Sequence, residues 1–145
     1  MKRTHRMLLG AALLGFAAVA LAQAFPAKQV RIVVPQAPGG ASDALSRIIG
    51  SKLGEKWGQQ VLIENRIGAG GNIGTAEAAK APADGHTLLL GYIGTHVINP
   101  HLYKNLPWDP VRDFVPVATL AAVPFVVVVT PGLVAKSTAD LIGLA

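Results

Sequence analysis

Cysteine is absent from all 145 residues. Its absence excludes disulfides, thiolate metal sites and a cysteine nucleophile, and it leaves no thiol for a lipid-modified start. Several chemistry-bearing motifs are also missing. A dinucleotide loop counted from Gly68 would need a third glycine at position 73, where Ile73 stands. No G-x-x-x-x-G-K-[ST] occurs, so there is no phosphate-binding P-loop. A G-x-S-x-G elbow around Ser42 would need glycine where the chain has Ala44. His86, His96 and His101 form no i, i+4 pair and have no acidic cluster beside them, so the spacing offers no metal site. Basic residues form no stripe of the kind nucleic acid requires.

The formal charge of +5 is partly a feature of the N-terminus. Lys2, Arg3 and Arg6 precede an apolar and small run from Met7 to Ala22. Small residues then recur as Ala20-Leu21-Ala22 and Ala22-Gln23-Ala24. Basic start, apolar run and small-residue site together read as a cleavable secretory signal over residues 1–24, cut after Ala22 or Ala24. The run falls short of the ~20 residues of a spanning helix, which argues against the rival reading as an anchor. Without these three cations the chain carries ten basic residues against eight acidic ones.

Beyond the signal, one pattern repeats: β-branched run, glycine-rich turn, apolar-striped helix. Val30 to Val34 predicts a strand, closed by Pro35. Leu45, Ile48, Ile49, Leu53 and Trp57 share one helical stripe, and Gly58 is placed to end that helix. Val61 to Glu64 predicts a second strand. An alanine-rich helix follows from about Asn72, its expected N-cap, to Ala81, ahead of Pro82. Thr87 to Leu90 predicts a third strand. Alternation of this kind implies an α/β fold with a parallel sheet. Further on, Phe114 to Leu120 and Phe125 to Thr130 read as long strands leaving the first domain. Ser137 and Asp140 form a capping-box-like helix start close to the last residue, consistent with a piece of a longer protein.

In open α/β sheets ligands bind beyond the carboxyl ends of the strands. The loops at 35–43, 65–72 and 91–96 should therefore converge. A glycine loop entering a helix presents unpaired amides and the positive end of the helix dipole, an anion site that needs no Lys or Arg. The candidate ligand-binding residues are Gly39, Gly40, Ser42, Asp43, Gly71, Asn72, Thr95 and His96. Each has a plainer reading beside it. The glycines could serve only as tight turns, Asp43 as a helix-end charge, and His96 as a solvated loop residue. Tyr92, Tyr103 and Trp108 either wall a pocket or pack. Ser42 as the nucleophile of an exported α/β hydrolase is the alternative function; it would need a histidine and an acid from elsewhere.

The chain resembles the Bug-type periplasmic receptors of tripartite tricarboxylate transporters. The matching stretches begin with Phe25-Pro26, Val33-Val34-Pro35, Pro38-Gly39-Gly40 with Asp43, and Glu64-Asn65-Arg66 followed by Gly68 to Gly74. They continue through Ala83 to Leu89, Asn99-Pro100 with Leu102-Tyr103, Leu106 to Pro110, Asp113-Phe114 with Pro116-Val117, and the apolar stretch from Pro124 to Pro131. Ile67, His86 and Trp108 stand where the family commonly has Pro, Tyr and Tyr. The resemblance implies a two-lobed periplasmic-binding-protein fold of type II, with residues 25–120 in a first α/β lobe. Residues 121–145 would be the crossover strand and the start of a truncated second lobe. It implies a non-enzymatic, cofactor-free, metal-free receptor for a small organic acid, a di- or tricarboxylate, amino acid or aromatic acid. Membrane transporter subunits would be its partners, and nucleic acid would not.

Overall fold

A computed structural model describes residues 25–124 and 126–144. The expected signal segment lies outside the described residues. Three parallel strands form one sheet: β1 (Val30–Val34), β2 (Val61–Asn65) and β3 (Thr87–Leu89), in the spatial order β2-β1-β3. In register, Ile32 sits beside Ile63 on one side and Leu88 on the other. The central strand is thus hydrogen-bonded along both edges. Val30, Val33 and Val34 are completely buried, as expected for a branched run enclosed on both faces.

Helix α1 (Ala41–Trp57) covers the face of β1 and β2 that carries Val61 and Ile63. It ends where Gly58 turns left-handed (φ 63°) and returns its N–H to the Gly54 carbonyl, as the sequence predicted. The buried face differs from the expected stripe. Ser46 and Gly50 are buried, whereas Ile48 points outward at 62 % exposure. Small residues at 46 and 50 bring the helix axis close to the sheet. A Cβ on Gly50 would lie 2.9 Å from the Ile63 side chain.

Helix α2 (Asn72–Ala79) covers the opposite face. There Arg31, the one charged residue of β1, reaches Glu77 at 2.8 Å and Glu64 at 3.3 Å, and Arg66 closes the ring onto both acids. Its charge is thereby paired in a place too enclosed to leave it bare. Gly74 packs directly on the chain leaving β2, where an added Cβ would meet the Arg66 carbonyl at 2.6 Å.

After β3 the expected loop is helical instead. A wide turn with i→i+5 spacing spans Gly94–Ile98 and runs into α3 (Asn99–Leu102). Pro100 has no N–H to close an ordinary turn onto the residue four before it, which favours the widened geometry. The strands expected at Phe114–Leu120 and within 125–130 are not formed. Their described residues are irregular, with Val115, Val117 and Val126 to Val128 all at least 77 % exposed. An apolar β-branched run becomes a strand only where a neighbouring strand accepts it, and these residues pair with none of the described ones. Helix α4 (Thr138–Gly143) starts as predicted, with the Ser137 hydroxyl accepting the Asp140 N–H at 3.1 Å.

Gly74→Ala tests the contact between α2 and β2. Helix propensity alone would favour alanine by about 1 kcal/mol. Because the obstacle is backbone, we expect a net loss of about 1–3 kcal/mol in urea unfolding. Gly132→Ala, which faces open space, should stay near wild type.

Candidate functional site

Parallel strands put the residues that follow them at one end of the sheet, and the three loops meet there. Asn65 at the end of β2 donates to the Gln36 carbonyl in the first loop at 3.1 Å. The Tyr92 hydroxyl of the third loop donates to the Gly70 carbonyl in the second at 2.9 Å. Gly71 sits so tightly at the junction that an added Cβ would come within 2.8 Å of both Thr95 and the Tyr92 hydroxyl, and 3.1 Å of the Pro35 carbonyl.

The first loop is organised by Asp43. This carboxylate is 5 % exposed, accepts the Gly39 N–H at 2.9 Å, and is held by Arg47 at 3.0 Å, whose guanidinium also reaches Asn65. The Arg47 hydrogen bond, followed by that of Gly39, lowers the Asp43 pKa to about 2. Gly39 is left-handed (φ 86°), and Gly40 caps α1 in an extended conformation. The Gly39 amide is therefore engaged by Asp43. The amides of Gly40, Ala41 and Ser42, at the positive end of a 17-residue helix, have no hydrogen-bond acceptor among the described residues. Ser42 is half-buried, and its carbonyl accepts the Ser46 hydroxyl. Among the described residues no histidine is hydrogen-bonded to the Ser42 hydroxyl, His86 and His96 being engaged with Asp84 and Thr95.

The second loop is built differently from the expectation. Gly68, Ala69, Gly70 and Gly71 all have positive φ (125°, 47°, 64° and 92°). For Ala69 a left-handed conformation costs about 1–2 kcal/mol. The run folds into a tight turn over Ala69–Gly71, in which the Gly71 N–H bonds Gly68 and the Asn72 N–H bonds Ala69. Gly71, not Asn72, occupies the cap position of α2. The two amides expected to face a ligand are consumed internally. Asn72 is buried, and its side-chain oxygen accepts Asn99 Nδ2 at 2.7 Å.

In the third segment Thr95 is fully buried, bonded to the Tyr92 carbonyl (3.2 Å) and to His96 Nδ1 (2.9 Å). The His96 ring packs against Phe114 (5.1 Å) and Trp108 (5.9 Å), and burial lowers its pKa, which favours the neutral ring. It is part of an aromatic cluster, not a solvated loop residue. Burial raises the Tyr92 pKa, partly opposed by a Gln36 hydrogen bond. The structure brings Gly39, Gly40, Ser42 and Asp43 together on one side, and Gly71, Asn72 and Thr95 on the other. His96 turns toward Trp108. Asn99 and the hydroxyl role of Tyr92 were missed. The pair Asn99-Pro100 stands among the family-matching stretches, but no periodicity marked its buried amide.

The model of the family described as tripartite tricarboxylate transporter family receptor (TctC) matches residues 45–145. A UPF0065 protein from the tcbD-tcbE intergenic region of Pseudomonas sp. (strain P51) is 49 % identical over 106 residues, 73 % of this chain and 31 % of that protein. Protein BugT of Bordetella pertussis is 39 % identical over 129 residues, 88 % of this chain and 40 % of its own. Among solved structures, R. palustris Rpa4515 with adipate superposes with a TM-score of 0.71 at 44 % identity, covering 83 % of this chain and 40 % of that one. MatC (Rpa3494) from Rhodopseudomonas palustris with bound malate gives 0.63 at 43 % identity, covering 66 % and 33 %. The periplasmic binding protein BugD gives 0.58 at 39 % identity, covering 62 % and 30 %. The chain thus spans about a third to two-fifths of the length of these relatives.

A carboxylate with a lowered pKa stabilises the fold above its ordinary pKa, and that contribution is lost as pH falls through the folded value. For Asp43 the window runs from the ordinary 3.8 down to about 2. In urea unfolding between pH 5 and pH 2, wild type should therefore lose more stability than Asp43→Asn, in which this titration is absent.

Proposed function

The chain belongs to the tripartite tricarboxylate transporter receptor family, and on that premise we propose that it serves as an extracytoplasmic receptor for a small carboxylate. Its parallel α/β layers are part of one lobe of the two-lobed periplasmic-binding-protein fold. Structural neighbours carry adipate and malate, two dicarboxylates, and the family name supplies the transporter. The basic, apolar and small-residue start of the sequence supports a periplasmic location.

One observation carries the reading: the amides of Gly40, Ala41 and Ser42 have no acceptor among the described residues and open where three strand-end loops are cross-braced. A carboxylate placed there is itself a charged acceptor and gains hydrogen bonds from these N–H donors without a lysine or arginine having to be desolvated beside it. Gly39 lets the chain turn into that position, and Asp43 fixes the turn. The second wall would come from the turn at Gly68 to Gly70, with buried Gly71, Asn72 and Thr95 bracing it from behind and His96 packed beyond them. Capture needs no bond made or broken, and membrane transporter subunits would receive the bound acid.

Amide shifts in NMR titrations test the proposal even at weak affinity. Adipate and malate should shift Gly40, Ala41 and Ser42 saturably, and neutral adipamide should not. Ala41→Pro is the sharper probe, because proline is tolerated at the first position of a helix yet has no N–H. Adipate affinity should fall about tenfold or more while thermal stability holds. Unmoved amides at 40–42, or unchanged binding by Ala41→Pro, would refute the site.

A further inference from the structure

We propose that Asn99 is a positioning residue: it dictates the shape of the second loop from the third segment, without itself needing to touch the ligand. Deepening the receptor reading, this assigns the geometry of one wall of the site to a residue that no ligand contact would reveal. Four consecutive positive φ values at Gly68 to Gly71 are not a conformation the backbone holds unaided, least of all at Ala69. Its fixed point is the Gly70 carbonyl, which accepts two hydrogen bonds, from Tyr92 Oη and from Asn99 Nδ2, both at 2.9 Å. The same Asn99 nitrogen donates to Asn72 Oδ1 at 2.7 Å. One amino group thus ties the loop to the first residue of the following helix.

The chemistry makes the assignment directional. A backbone carbonyl only accepts, so the group facing Gly70 must be the amide nitrogen of residue 99. It uses both its hydrogens, one on each partner. Asn99 is 6 % exposed and Asn72 is 7 % exposed, so water does not readily replace either bond. The side chain's aim is set by its backbone. The Asn99 N–H closes the wide turn onto Gly94, and its carbonyl accepts the Tyr103 N–H at 2.9 Å. An aspartate at 99 has the same shape and no donor. An aspartate at 72 keeps the acceptor that Asn99 uses.

Amide hydrogen exchange at Gly71 and Asn72, measured without ligand, reads the loop directly, because both N–H groups are bonded inside it. Asn99→Ala and Asn99→Asp should speed that exchange about tenfold or more, with exchange in the β1 amides unchanged. Adipate affinity, followed at the Gly40 to Ser42 amides and at the loop, should weaken with it. Asn72→Asp, read in loop exchange alone, should stay near wild type. Packing alone would treat the two isosteric aspartates alike, so equal behaviour of Asn99→Asp and Asn72→Asp overturns the inference, as does an unaltered loop. If Asn99→Ala does not fold, Tyr92→Phe, which removes the other bond to Gly70, should loosen the loop in the same direction. A loop that loosens in a protein that never binds adipate or malate would leave the positioning role standing and refute the receptor reading.

Discussion

Everything at the loop end of the sheet depends on β1 having no free edge and no free face. Both rows of its backbone groups are taken, by β2 on one side and β3 on the other, and helices cover it above and below. Because all three strands run the same way, their exits lie side by side. The loops need not find one another; the sheet delivers them within hydrogen-bonding distance. Small residues at Gly50 and Gly74 allow both helices to come close enough to seal the strand, and Arg31, the one charge on it, is absorbed by two glutamates.

The site is economical in charge. Its one buried acid, Asp43, is already matched by Arg47 and works on the loop's own backbone. What is left without a partner at that end is peptide dipole, concentrated at the start of α1. The other two loops brace. Tyr92 and Asn99 both converge on a single carbonyl, Gly70, so that the left-handed turn is defined by its neighbours more than by its own sequence. An end built this way separates the amides left without acceptors from the groups that give it shape.

The alternation of branched runs, glycine turns and apolar helices disclosed the parallel sheet, the loop convergence and the Gly58 stop, because each rests on local chemistry that short spacing expresses. Long-range contact decided the rest. Ile48 shares the periodicity of Leu45 and Ile49, yet glycine and serine define the helix face, since closeness to the sheet favours small side chains over apolar ones. Asn72 has the composition of a cap, but the strained turn before it places Gly71 there. The internal use of the Gly71 and Asn72 amides could not be read from the sequence, because glycines that welcome a ligand and glycines that permit a left-handed turn are spelled alike. Asn99 was invisible for a related reason: a single amide acquires meaning only from the carbonyl opposite it.

The exposed valines beyond residue 114 bear on solubility. Val126 to Val129 is a window of high β-propensity without charge, the composition that stacks into intermolecular sheets when left bare. Pro124 and Pro131 stand on either side of it. Neither can donate a ladder hydrogen bond, so any sheet that seeded on this window would be interrupted at both ends. By that chemistry the two prolines would serve as gatekeepers around the valine window.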